Sequence, residues 1–316
     1  MQKRKLGKSE LEVAPLAFGG NVFGWTADEK TSFNLLDAFA DAGLNFIDTA
    51  DSYSNWVPGN KGGESETIIG KWLKQHGGRD KILIGTKLGS ELSPEKKGLS
   101  KKYILESVEG SLRRLQTDYI DLYQSHYFDP ETPQEETLAA YAQLIKEGKV
   151  RAIGASNFNP EQLSEALTIS EKNNLPRYES LQPEYNLYDR AGFEQGLEPL
   201  CLENQVGVIS YFSLAKGFLS GKYRSEADLN KSPRGGGVKE YLNERGFRVL
   251  QALDDIAQRY NSDPASVSLA WLISRSSITA PIASATSLEQ LHSLIKAAQL
   301  NLDETAVNQL TQASQY

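Results

Sequence analysis

The feature that most constrains this chain is an alternation. Short apolar runs at 16–19, 45–48, 82–87, 119–125, 151–155, 180–182, 206–210 and 279–282 are separated by longer amphipathic stretches. Apolar runs this short, bounded by Gly or polar residues, have the character of strands buried in a parallel sheet. The stretches between them, at 29–42, 64–75, 103–115, 134–147, 160–172, 193–204, 245–260 and 288–298, carry apolar residues at helical spacing. In 103–115, for example, Ile104, Leu105, Val108, Leu112 and Leu115 share one helix face, while Gly43 and Gly148 stand where helices stop. Strand and helix alternating eight times within 316 residues predict an α/β fold, a single (β/α)8 TIM barrel domain over residues 1–316. A doubly wound parallel sheet is the alternative with the same alternation.

Two segments fall outside the repeat. Residues 3–13, with a Gly-Lys turn between short alternating runs, predict an N-terminal hairpin closing the barrel bottom. Residues 212–243 form a long loop after the seventh strand. A non-periodic segment of that length in a compact domain is usually functional. It gathers Lys216, Lys222, Arg224, Lys231, Arg234 and Lys239 against Glu226, Asp228 and Glu240, a local excess of positive charge over an anionic ligand or simply a solvated loop.

That local charge stands against a net charge of −7. An acidic protein lacks the basic face that binding to nucleic acid or to an anionic membrane requires, so the partner expected is a small molecule. No apolar run approaches the length of a membrane helix, and the basic N-terminal residues precede no apolar signal core, so a cytoplasmic protein is expected. The oligomeric state is not legible. The single cysteine, Cys201, sits at helical spacing from Leu197 and reads as a buried structural thiol.

In a barrel of this kind the active site lies at the C-terminal ends of the strands. The second run ends at Asp48 with Tyr53 just beyond, the third at Lys87, and the fourth at His126. Strand alternation puts Phe46 and Asp48 on one face, and likewise Leu83, Gly85 and Lys87. A lysine at the end of a buried strand needs an acid beside it, and Asp48 is the nearest. A phenol has an ordinary pKa of about 10, and a nearby ammonium such as that of Lys87 favours its ionised form. With His126 hydrogen-bonding a substrate oxygen, the group could protonate a carbonyl while hydride arrives from elsewhere. No side chain supplies hydride, so a nicotinamide cofactor is implied. Taken singly, these residues have ordinary explanations as a salt bridge, a half-buried phenol and a core histidine; their convergence makes the site.

The same stretches resemble the aldo-keto reductase family. "LGKSELEVAPLAFGG", "GLNFIDTADSY", "ILIGTKLG", "DLYQSH", "VRAIGASNF", "LQPEYNLYDR" and "PIASATSLEQL" follow one another in the family's order from residue 6 to about residue 298. The resemblance implies a (β/α)8 barrel that binds NADP(H), or less often NAD(H), across its mouth. It implies Tyr53 as general acid, Lys87 as its tuning partner, Asp48 paired with Lys87, and His126 orienting the carbonyl. Cofactor contacts implied in the same way are Gly20, Asn21, Asp48, Ser156, Asn157 and Gln182, then Tyr211 stacked on the nicotinamide. Ser213, Leu214, Ala215, Gly217 and Lys222 correspond to the loop over the pyrophosphate, and Ser284, Thr286 and Gln290 to the grip on the adenosine ribose. Thr286 stands where many relatives have Arg or Lys, and Leu294 where many have Asn, which leaves NADPH against NADH open.

Substrate walls are expected from Phe23, Trp25, Trp56, Tyr127 and Phe128, although loop packing explains the tryptophans equally well. The competing functions are a Schiff-base lyase using Lys87 and a nicotinamide-binding sensor subunit with incidental turnover. Other motifs fail on context. Two unrelated Ser-x-x-Lys matches, at Ser93 and Ser293, lack companions, and His76, His126 and His292 have no spacing that suggests a metal.

Overall fold

The computed structural model describes residues 1–233 and 235–316; Arg234, counted above with the loop cations, lies outside the described residues. A two-stranded antiparallel hairpin comes first, β1 (Arg4–Lys5) against β2 (Glu12–Val13), pairing Arg4 with Val13. Eight parallel strands follow: β3 (Ala17–Gly19), β4 (Phe46–Asp48), β5 (Leu83–Leu88), β6 (Ile120–Ser125), β7 (Val150–Ser156), β8 (Tyr178–Gln182), β9 (Gly207–Val208) and β10 (Ile282–Ala283). From β3 to β9 each pairs with the next in sequence, and β10 returns to β3.

The remaining gap between the seventh and eighth strands is bridged by backbone. Val208 pairs with Ile278, and the amides of Thr279 and Ile282 donate to the carbonyls of Val208 and Ser210, both at 2.8 Å. The sheet therefore closes on itself as a (β/α)8 barrel.

The expected helices are present with shifts of a residue or two: α1 (Glu29–Asp41), α2 (Glu64–His76), α3 (Lys101–Leu115), α4 (Gln134–Lys146) and α5 (Pro160–Asn173). Their starts follow from local chemistry. Asp28 and Ser100 accept backbone N–H bonds at the heads of α1 and α3. Asn159 and Gln162 form a capping box ahead of α5, with Pro160 at its first position. The predicted helix over 193–204 is instead two pieces, α6 (Ala191–Glu194) and α7 (Leu197–Asn204). Pro199 explains the break: it fits the first turn of α7, but a helix running through it would put its ring against the carbonyl of Gln195.

After β9 the long loop contains 3-10 turns at Ala215–Ser220, Glu226–Lys231 and Gly235–Tyr241, more order than its lack of periodicity predicts. Then come α8 (Glu244–Arg259), α9 (Pro264–Ser274), and, beyond β10, α10 (Leu288–Ala297) and α11 (Glu304–Ala313). Neither α9 nor α11 belongs to the eightfold alternation. Among the described residues no helix is long and apolar enough to cross a membrane.

Inside the barrel, Ala17, Phe46, Leu83, Leu122, Ala152, Ile209 and Ala280 form an apolar layer, and hairpin residues Leu6, Leu11 and Val13 pack beneath it. The hairpin is thus a stopper. Gly85 belongs to the next layer up, where an added Cβ would meet the Phe46 ring at 2.9 Å. Above that the interior turns polar, and the site begins.

Candidate active site

β4, β5 and β6 deliver Asp48, Lys87 and Gln124 to the upper interior, because each follows an apolar neighbour two residues earlier on the same inward face. Lys87 is wholly buried, and its three N–H bonds are all used. They go to Asp48 Oδ2 at 2.7 Å, to the Thr49 carbonyl at 2.8 Å and to the Tyr53 hydroxyl oxygen at 2.8 Å. Asp48 Oδ1 in turn accepts from Gln182 Nε2 at 2.9 Å and Gln124 Nε2 at 3.2 Å. Both members of the buried pair are therefore held on every side, which is what offsets the cost of taking two charges out of water. Burial lowers the Lys87 pKa, with Asp48 opposing the shift.

Tyr53 is half-buried at the edge of this network, and the His126 ring lies 6.1 Å from its own, centroid to centroid. His126 retains some exposure to the cavity, yet burial, and secondarily the Lys87 ammonium, push its pKa down to about 3. It is a neutral imidazole throughout the physiological range. Its Nδ1 is buried with no hydrogen-bond partner among the described residues.

These groups open into a cavity of about 1270 Å³ that runs from Tyr53 and His126 to Gln290 and Leu294. The aldo/keto reductase family pattern matches residues 15–315. The chain belongs to the aldo/keto reductase family. An oxidoreductase named YrpG from Bacillus subtilis is 35% identical over 98% of this chain and 95% of its own length. An aldo-keto reductase named YhdN from the same organism is 36% identical over 84% of this chain and 77% of its own. A probable voltage-gated potassium channel subunit beta from Oryza sativa subsp. japonica is 33% identical over 94% and 91%.

Of the positions singled out in this aldo/keto reductase, Asn21, Ser156, Asn157, Gln182, Tyr211 and Ser213 line the cavity. So do Leu214, Gly217, Lys222, Ser284, Thr286 and Gln290. They are tied to one another: Ser156 Oγ donates to the Gln182 carbonyl at 2.9 Å, Tyr211 to Asn157 Oδ1 at 2.8 Å, and Ser284 to Asn21 Oδ1 at 2.7 Å. Asn157 holds a left-handed φ of +58°, which an asparagine tolerates, and its amide donates to the His126 carbonyl at 3.0 Å. Gly20 and Ala215 do not line the cavity; Ala215 is wholly buried.

Trp25, Trp56 and Tyr127 do line it, with Trp25 and Trp56 edge to face at 5.6 Å. Phe23 and Phe128, expected as walls, do not. Phe23 stacks on Phe18 in the core at 5.3 Å, and Phe128 packs edge to face on Phe158 at 5.6 Å. Phe212, 39% exposed and not expected as a wall, lines the cavity as well; its signal in the sequence is its position after Tyr211, where it and Ser213 replace the Ser-Pro common in the family the chain resembles.

The loop cations are mostly spoken for. Lys216 pairs with Glu240 at 2.6 Å, Arg224 with Asp254 at 2.7 Å, Lys231 with Asp228 at 2.8 Å and Lys239 with Glu226 at 3.2 Å. Lys222 lines the cavity and pairs with no carboxylate among the described residues. Cys201 is buried, its thiol pushed up to about 12 by burial and then by Glu198, as befits a structural residue. No cluster of metal-ligating side chains occurs among the described residues.

Proposed function

We propose that this oxidoreductase reduces aldehydes or ketones to alcohols with NADPH, Tyr53 giving the proton. The carrying observation is the 2.8 Å bond from the Lys87 ammonium to the Tyr53 oxygen at the floor of an aromatic-walled cavity. As Tyr53 releases its proton to the carbonyl oxygen, negative charge grows on the phenol, and the adjacent ammonium stabilises it. Asp48 and the Thr49 carbonyl fix Lys87 in place, so no reorganisation is needed at that moment. Neutral His126 orients the carbonyl oxygen by a hydrogen bond without adding a competing charge.

A nicotinamide cofactor, when bound, supplies the hydride. The residues present fit it. Gln182 lines the cavity and its side-chain carbonyl accepts no bond from the described residues, which leaves an acceptor for a carboxamide. The same cavity is lined by Lys222 and by Thr286 and Gln290 at the head of α10, where helix N–H groups favour a phosphate. Thr286 is neutral and already bonded to Gln290 at 3.1 Å, so Lys222, expected over the pyrophosphate, is the cation we assign instead to an NADPH 2′-phosphate.

A Schiff base on Lys87 fits less well, because the amine is wholly buried and all its donors are engaged. The sensor reading has the similarity to the named channel subunit in its favour, but a complete proton-donating network argues for turnover.

The test is Tyr53→Phe, assayed on an aldehyde panel with NADPH and NADH titrated separately by fluorescence quenching. Turnover should be abolished while the cofactor still binds. Retained turnover removes Tyr53 as the acid.

A further inference from the structure

Asp51 reads in the sequence as a loop acid that caps or solvates, and it is neither. It is 1% exposed, Ser107 Oγ of α3 donates to its Oδ2 at 3.3 Å, and its Oδ1 has no hydrogen-bond partner among the described residues.

The surrounding charges do not balance. Three acids and two cations meet behind Tyr53. Lys87 on β5 is paired with Asp48 at 2.7 Å, and Arg114 on α3 is paired with Glu66 of α2 at 2.6 Å. No cation among the described residues pairs with Asp51. The other titratable groups facing it are phenols, Tyr103 of α3, Tyr123 of β6 and Tyr141 of α4, all raised above their ordinary values with its charge among the causes. Glu66 is a second carboxylate, itself held by Thr86 at 2.6 Å. An unpaired carboxylate buried beside another favours its neutral form.

We propose that Asp51 is a positioning residue that works as a neutral acid, fixing the Tyr53 loop while keeping negative charge away from the proton donor. Its backbone N–H donates to the Lys87 carbonyl at 3.0 Å, and Tyr53 follows two residues later, so the same turn carries both. A negative charge at Asp51 would oppose the charge that develops on Tyr53, so proton donation slows once Asp51 ionises. Burial first, and Glu66 second, push its pKa up to about 8.

The inference rests on the proposed reduction for its kinetic consequence alone, and the decisive measurements need no turnover. The infrared band of a protonated carboxyl group is expected in the wild type at neutral pH and lost in Asp51→Asn. The fold binds a proton that the unfolded chain releases above about pH 4, so this group costs stability as pH rises toward its folded value. Asp51→Asn should therefore melt above wild type, with a gap that widens from about pH 5 to pH 8. In turnover, Asp51→Asn should match wild type at neutral pH within a few-fold and hold its activity further into alkali. An unchanged infrared spectrum, equal melting across that range, or loss of turnover by an order of magnitude at neutral pH overturns the proposal. Should Asp51→Asn not fold, Ser107→Ala removes the hydroxyl bonded to the acid; it should shift the carboxyl band, and an unshifted band overturns the proposal equally. Absence of turnover on any carbonyl, with the band present, would instead strike the proposed reduction.

Discussion

The Lys87 ammonium and the Asp48 carboxylate meet at 2.7 Å with side-chain exposures of 0% and 1%. Breaking such a pair from one side leaves the other charge buried alone. Lys87→Met should cost about 3–5 kcal/mol of stability, read from urea unfolding. Turnover should fall by about 10²–10⁴-fold in the same variant as the phenol loses its partner. Near-wild-type unfolding would mean that Asp48 takes up a proton or finds water.

His126 makes a prediction about acid. With its folded pKa near 3, it stays neutral down to that value, while the unfolded chain protonates near 6.5. Stability contributed by keeping it neutral is complete above about pH 6.5 and is lost as pH falls toward 3, at no more than about 1.4 kcal/mol per pH unit. His126→Gln should flatten that acid slope in thermal melts. The turnover of the wild type should show no inflection at the ordinary histidine value.

Cofactor choice should turn on one lysine. Lys222→Ala is expected to weaken NADPH by about 10–100-fold, the worth of a charge-assisted hydrogen bond, and to leave NADH unchanged. Thr286→Arg should strengthen NADPH. Equal losses for both cofactors would assign Lys222 to the shared pyrophosphate rather than to the 2′-phosphate.

Lys216, partly exposed, and Glu240, largely exposed, join two 3-10 turns of the long loop across 2.6 Å. Glu240→Gln should shift thermal stability by less than about 1 kcal/mol. Cofactor release, followed by stopped-flow fluorescence, should accelerate if that pair clasps the loop over the cavity. An unchanged release rate would reduce the pair to surface decoration.

Much of this was legible because the barrel repeats one simple pattern. Asp48, Lys87 and His126 stand out as polar groups at the ends of apolar runs, and strand alternation aims them inward. Periodicity ends with the strand, however, and Phe23 and Phe128 lie just beyond their strand ends, where nothing local decides between wall and core. Asp51 is hidden for a similar reason: its side-chain partner, Ser107, lies 56 residues away on α3. Helix α9 is missed because its residues are apolar on nearly every side, buried between neighbours, although Asp263 and Pro264 announce its start. Helix α11 lies past the last repeat, with Asp303 as its cap and Ala306 and Leu310 buried at helical spacing.

The stopper of Leu6, Leu11 and Val13 makes the barrel a vessel with a single door. Anything that enters by the mouth must leave by it, and whatever settles deeper waits for whatever settles above. On the proposed reading, a cofactor held against Gln182 and Asn157 and a substrate held between Trp25, Trp56 and Tyr127 share that one mouth, so their order of entry and exit is what product-inhibition kinetics would read.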